Sequence, residues 1–352
     1  MAPKAPLILP YAGQAPSIAA PPIYAGLGSA VLGRVTLGRN AWLGPLSVVR
    51  ADGHFVKVGD DFHLGARSTL HIAHDIFPCI VGDRVTVGEN ACVHACTVGS
   101  NVAIEDGTVI LDGALVGDDV AFQAGSTVFP NKRVASGFLY AGSPAKPVRP
   151  LEASDVAERR RAISDKNKSR REPPQPRVAV AADSEIHDTV FIAGTATVTG
   201  RIVAAPSSSI WYSNTFDAGR ATISIGPRTN IQDNTAIRCS VGGVTIGRDA
   251  TVGHNVTIRD SIIGAETLIG IGSVVEEGTI IGDRVLLAAA AQTTPGQKLE
   301  SDWLYAGNPA RQLTRLDAGK RAMIKEIVDQ YCQYAQDFSA MERELRAAHA
   351  AS

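Results

Sequence analysis

The sequence predicts a mainly β protein made of two tandem parallel β-helices, each followed by a C-terminal α-helix. Three observations predict it: an apolar residue recurs every six positions, glycine follows many of those residues, and a single five-residue step falls at the same point of both halves. A period of six matches neither the about 3.6 residues of a helix nor the about two of a long strand. It fits a coil of three very short strands, with one aliphatic side chain per face pointing inward and glycine or a small polar residue turning each corner.

In the first half the series runs through Val81, Val87 and Val93, then Val98, Ile104, Ile110, Val116, Phe122 and Val128, with Gly82, Gly88, Gly99 and Gly117 in phase. The second half repeats it at Ile246, Val252 and Ile258, then Ile263, Ile269, Val275, Ile281 and Leu287, with Gly247, Gly253, Gly264, Gly270 and Gly282. The steps from Val93 to Val98 and from Ile258 to Ile263 are the short ones. An irregularity shared at one place marks the halves as duplicates. Hexapeptide repeats of this kind resemble the left-handed parallel β-helix family over most of residues 20–148 and 180–312. After Pro150 the charged, proline-free stretch Leu151 to Arg171 reads as a helix, and EPPQPR at 172–177 as a linker. A longer helix is expected from about Asp317 to Ala348, with Met323, Ile327, Tyr331, Tyr334 and Phe338 as its core-facing stripe. The expected domains are 1–171, a Pro-rich linker at 172–179, and 180–352.

Composition narrows the function. With 34 Lys+Arg against 35 Asp+Glu the net charge is -1, so no global positive field draws the chain to nucleic acid or anionic lipid. Prolines interrupt the amino-terminal segment, which does not read as a signal peptide, and no run of about 18 apolar residues suggests a membrane span. Five cysteines (Cys79, Cys92, Cys96, Cys239, Cys332) form no CxxC pair and fit a reducing cytoplasm.

The repeat aligns one half on the other. Leu64 and Ile231 stand 167 residues apart, and Val81 and Ile246 stand 165 apart. On these offsets His71 pairs with Arg238, Glu89 with His254, His94 with Arg259 and Arg50 with Asp217, while Asp52 meets Gly219. WLGPLSVVRAD at 42–52, TLHI at 69–72, TVGENACVHACTVG at 86–99 and FLYAGSPAKPVRPL at 138–151 resemble the gamma-class carbonic anhydrases, as do TNIQDNTAI at 229–237, TVGHNVTI at 251–258 and LYAGNPA at 304–310.

The resemblance implies a trimer of left-handed β-helices with zinc at subunit interfaces, held by the histidine of an LH dipeptide and that of an LHGC motif on one face, and by the histidine of a VGH motif from a neighbour. Carried over, the first copy keeps His71 and His94 but has Glu89 in the third place; the second keeps only His254, with Arg238 and Arg259 in the other two. Together the copies keep all three. Iron or cobalt could occupy the same imidazoles. If unlike copies pack, His71, His94 and His254 form one site, and Arg238, Arg259 and Glu89 form a degenerate one in which guanidiniums replace the metal's charge. If like packs with like, His71, His94 and Glu89 form a His₂Glu site. The mixed arrangement is the favoured one, although a ring of three prisms cannot alternate two kinds.

The resemblance also implies reversible hydration of carbon dioxide to bicarbonate by zinc hydroxide. Arg50 and Asp52, present only in the first copy, and Gln232 and Asp233, present only in the second, are implied to surround the site as interface partners and as groups orienting water or product. A homo-oligomer with trimeric or pseudo-trimeric domain packing follows from the same resemblance. Two rival readings stay open: a weakly active or inactive assembly scaffold, and a hexapeptide acyltransferase, suggested by GSPA at 142–145 and GNPA at 307–310. His54, His63, His74, His187 and His349 read as surface or loop residues, with His63 and His74 close enough in sequence to His71 to shuttle protons.

Overall fold

The structure, a computed structural model, describes residues 5–152 and 154–351, with side chains through residue 348; the reading of His349 lies outside the described side chains. The chain divides into two compact units, Met1–Gln175 and Pro176–Ser352.

Unit 1 is a coil of parallel rungs on three faces. Leu64, Val87, Ile104, Phe122 and Tyr140 stand directly opposite one another on successive rungs of one face. Leu70, Val93, Ile110 and Val128 do so on the second, and Val58, Val81, Val98, Val116 and Val134 on the third. All of these side chains are buried in a single core cluster. Every sixth residue therefore points inward, as the periodicity predicts, and the outward neighbours are free to carry chemistry. Three hexapeptides make a coil of 18 residues, as from Ile104 to Phe122. The five-residue step shortens the preceding coil, from Val87 to Ile104, to 17.

Unit 2 repeats the plan. Ile231, Val252, Ile269, Leu287 and Tyr305 line one face, and Ile225, Ile246, Ile263, Ile281 and Leu299 another. The third carries Ile237, Ile258 and Val275, and these residues too share one core. Each unit has an 11-residue strand, Val48–Val58 in the first and Thr215–Ile225 in the second. Each is preceded by an 8-residue strand, Ala30–Leu37 or Thr197–Ala204, whose register breaks beside Gly33 or Gly200. Gly33 has φ +75°, and a Cβ there would lie 2.1 Å from the Ala51 carbonyl oxygen, so only glycine fits. Gly200 takes φ +85° at the equivalent place. The duplication thus extends to the irregularities of the backbone.

Helix α1 (Asp155–Lys168) is shorter than the charged stretch 151–171. Its start is held by Asp155, which accepts from Arg149 Nη1 at 2.7 Å and from the Glu152 amide at 2.7 Å. Val156 and Ile163 pack onto Ala103, Ala121 and Leu139 on the outside of the coil. Helix α2 (Ala318–Ala351) buries Ile324, Val328, Tyr331, Tyr334 and Phe338. This corrects the expected stripe at its beginning: Met323 is 40% exposed and Ile327 only half-buried. Spacings of four and three from Ile324 keep the buried side chains on one line, whereas Met323 falls about 100° to its side. Trp211 anchors this helix, with ring centroids 5.1 Å from Tyr331 and 5.6 Å from Phe338 in edge-to-face contact. Among the described residues no helix is long and apolar enough to cross a membrane.

One turn of unit 2 carries a pH dependence. The Asp260 carboxylate accepts from the backbone amides of Ser240, Val241, Gly242 and Gly243. Burial alone would raise this carboxyl, but the hydrogen bonds outweigh it and bring it down to about 2. Its stabilisation is complete above the ordinary aspartate value of about 4 and is lost as pH falls through about 2, amounting to ~2 kcal/mol. Unfolding of Asp260→Ala is expected to lack this part of the acid dependence; an unchanged acid limb in urea melts between pH 2 and 5 would contradict it.

Candidate metal centre

Strands Thr69–His71 and Cys92–His94 are adjacent rungs of one face in unit 1, and their register sets His71 beside His94. Because Leu70 and Val93 point into the core, the two imidazoles project outward. The strand Val48–Val58 pairs with the first of these rungs and supplies Arg50 and Asp52 on the same side. His71, His94, Arg50 and Asp52 are all buried.

The two rings face each other through His71 Nδ1 and His94 Nε2, 3.2 Å apart. Each of the other ring nitrogens meets a carboxylate: His71 Nε2 lies 3.1 Å from Asp52 Oδ1, and His94 Nδ1 lies 2.6 Å from Asp112 Oδ1. A carboxylate accepts only, so it assigns the N–H to the nitrogen it touches and leaves the opposite nitrogen with its lone pair. In these tautomers the two lone pairs converge across 3.2 Å, a spacing that a bound cation can bridge, and that a proton on either ring bridges as a hydrogen bond. Zinc–nitrogen bonds of about 2.05 Å in a tetrahedron place two ligand nitrogens about 3.3 Å apart, so the pair fits such an ion.

Electrostatics keep the backing groups ionised. Burial would raise the Asp52 carboxyl, but the Arg50 guanidinium bonded to it and His71 hold it well below the usual carboxylate range. For Asp112 burial is likewise outweighed, here by His94, and the carboxyl is lowered. Such carboxylate–histidine pairs orient a ligand ring and raise its basicity.

In unit 2 the corresponding rungs carry Arg238 directly opposite Arg259, both exposed, and Arg259 pairs with Glu276 at 2.5 Å. Two arginines on adjacent rungs put positive charge where unit 1 has its imidazoles, which disfavours a cation there. His254 is fully buried and has a carboxylate of its own, with Nδ1 3.2 Å from Asp233 Oδ2. Asp233 Oδ1 accepts from the Tyr212 amide, and the Gln232 amide donates to Asn230 Oδ1 at 3.3 Å. Glu89 is engaged within unit 1, its Oε2 2.6 Å from Arg170.

A family model described as the hexapeptide repeat of succinyl-transferase matches residues 223–259 and 261–290. Protein YrdA of Escherichia coli (strain K12) is 37% identical over 135 residues, which are 37% of this chain and 73% of that protein. The mitochondrial gamma carbonic anhydrase 1 of Arabidopsis thaliana is 34% identical over 161 residues, covering 44% of this chain and 54% of its own length. The carbonic anhydrase of Geobacillus kaustophilus is 30% identical over 155 residues, 44% of this chain and 84% of that enzyme. The chain belongs to the gamma carbonic anhydrase family.

Within this gamma carbonic anhydrase family member, the sequence singled out four residues that the structure brings together: His71, His94, Arg50 and Asp52. It missed Asp112. That carboxylate lies 18 residues after His94, one coil further on, so counting coil lengths from the outward-facing histidine would have found it. His63 needs correction: it is no surface or loop residue but is buried in the strand His63–Leu64, on a different face from His71. Its ring stacks on Trp42, and Asn167 Nδ2 lies 2.9 Å from its Nε2, which rules it out as a proton shuttle for the metal face.

Proposed function

We propose that the chain hydrates carbon dioxide reversibly with zinc, held by His71 and His94 of the first copy and His254 of the second. The observation that carries this reading is the facing pair of ring nitrogens at 3.2 Å, each ring fixed by a carboxylate behind it. His254 supports it as the remaining imidazole of the same design, backed by Asp233. Zinc bound by three imidazoles lowers the pKa of water to about 7, making a nucleophile available to carbon dioxide at neutral pH. Asp52, Asp112 and Asp233 orient the three rings, and Arg50 keeps Asp52 ionised between itself and His71. Gln232 offers an amide to orient bicarbonate as it leaves. Iron or cobalt would suit the same nitrogens.

The second copy then serves as the donor of one ligand, having lost its own cation site to Arg238 and Arg259. This function calls for an oligomer with trimeric or pseudo-trimeric packing of domains, and five free thiols suit a reducing compartment such as the cytoplasm. The alternative third ligand, Glu89, is disfavoured because Arg170 already neutralises it.

Zinc content of purified variants tests the assignment. His254→Ala is expected to lose both zinc and stopped-flow hydration activity, while Glu89→Ala retains the metal. Zinc kept by His254→Ala and lost by Glu89→Ala would replace the mixed site with a His₂Glu one.

A further inference from the structure

Both copies have a groove between the C-terminal helix and the neighbouring face of the coil, and the two grooves handle charge differently. In unit 2 the cavity is about 450 Å³ and includes Arg228, Arg248, Arg284 and Arg321 in its wall. Each guanidinium there has a carboxylate: Arg228 meets Asp249 at 2.7 Å, Arg248 meets Glu266 at 3.1 Å, and Arg284 and Arg321 meet Asp302 at 2.7 and 3.4 Å. That groove is closed electrostatically by its own acids.

In unit 1 the cavity is about 400 Å³, and Arg160, Arg161 and Lys168 of α1 project on it. Arg160 is half-buried, yet it donates only to neutral acceptors, Thr86 Oγ1 at 3.3 Å and Asn101 Oδ1 at 3.2 Å. Arg84 adds a second positive charge nearby. Asp61 is the acid that acts on Arg160, without forming an ion pair, and it accepts from Asn40 Nδ2 at 2.9 Å. Among the described residues no carboxylate pairs with Arg160, Arg161 or Lys168. A half-buried guanidinium without a counter-ion is costly, and an anion supplied from solution relieves that cost.

The rest of the wall mixes Ile23, Trp42 and Ala157 with the polar Asn40, Asp61, Thr86 and Ser164. Trp42 is stacked between Tyr24, 4.7 Å away at 15°, and His63, 4.0 Å away at 4°. Ile23 beside this stack is 64% exposed. Burial, helped by Lys168 and Arg160, pushes His63 down to about 3, so the stack itself is neutral. We propose that this groove binds a nucleotide, with the phosphates against Arg160, Arg161 and Lys168 and the base against Ile23 and the edge of Trp42. Its volume falls within the range of about 300–1,000 Å³ usual for small-molecule sites.

Calorimetric titration of the full chain with ADP, pyrophosphate and adenosine tests this. ADP is expected to bind once per chain, at least tenfold more tightly than pyrophosphate, with adenosine weaker still. Arg160→Ala, and separately the exposed-position variant Arg161→Ala, should each weaken ADP tenfold or more, while Arg284→Ala in the other groove leaves it unchanged. Absence of ADP binding, adenosine binding as well as ADP, or equal losses in Arg284→Ala would overturn the site. Pyrophosphate matching ADP would overturn the nucleotide assignment.

Discussion

Asp52→Asn is expected to weaken zinc binding about 10- to 100-fold and to destabilise the fold by about 3 kcal/mol. Two separate effects meet at this carboxylate. One oxygen holds His71 Nε2, and an asparagine amide placed there can donate to that nitrogen, which moves the ring proton to Nδ1 and blocks the lone pair facing His94. The other oxygen is bonded to Arg50, a guanidinium with no exposure, so the same change removes a negative charge from a buried ion pair. Asp112→Asn separates the two effects. The Asp112 side chain is 41% exposed, so water replaces much of what is lost, and a weaker metal site with nearly unchanged stability is expected. Competition with a chelator measures the first quantity and urea unfolding the second. Wild-type zinc affinity in Asp52→Asn would show that the carboxylate does not set the tautomer.

Trp211→Ala is expected to cost about 4 kcal/mol, the largest effect away from the site. Its ring is fully buried and makes edge-to-face contacts with Phe191, Tyr331 and Phe338, which join the coil of unit 2 to α2. Truncation leaves a void that three rigid rings cannot fill. Denaturant melts followed by far-ultraviolet circular dichroism should show α2 lost in an earlier transition. A shift worth less than about 1 kcal/mol would mean that the helix is held mainly by its other contacts.

The coil was legible because its period is set by geometry that few other folds share. One inward residue in six cannot be met by a helix or a long strand, and Val93 to Val98 recurring as Ile258 to Ile263 sets both copies in register. The α2 stripe was less legible. Met323 and Ile327 are apolar and helically spaced, but the helix buries Ile324 and Val328 instead, and that choice belongs to the tertiary structure. At the site, His71 and His94 could be found from their motifs and from duplication, whereas Asp112 belongs to a later rung and is tied to His94 only by the pitch of the coil. His63 misled for a similar reason: its dipeptide says nothing of Trp42, which the ladder stacks beneath it.

The position of the histidine pair along the coil has a consequence for motion. Each rung is bonded only to the rungs before and after it, so a solenoid loosens most readily from its ends. The rungs of His71 and His94 are flanked by Val48–Val58 on one side and by Val109–Ile110 and Thr127–Val128 on the other. Thermal breathing must peel away whole turns before it reaches the two imidazoles, so their spacing survives fraying that would scatter ligands carried on terminal loops.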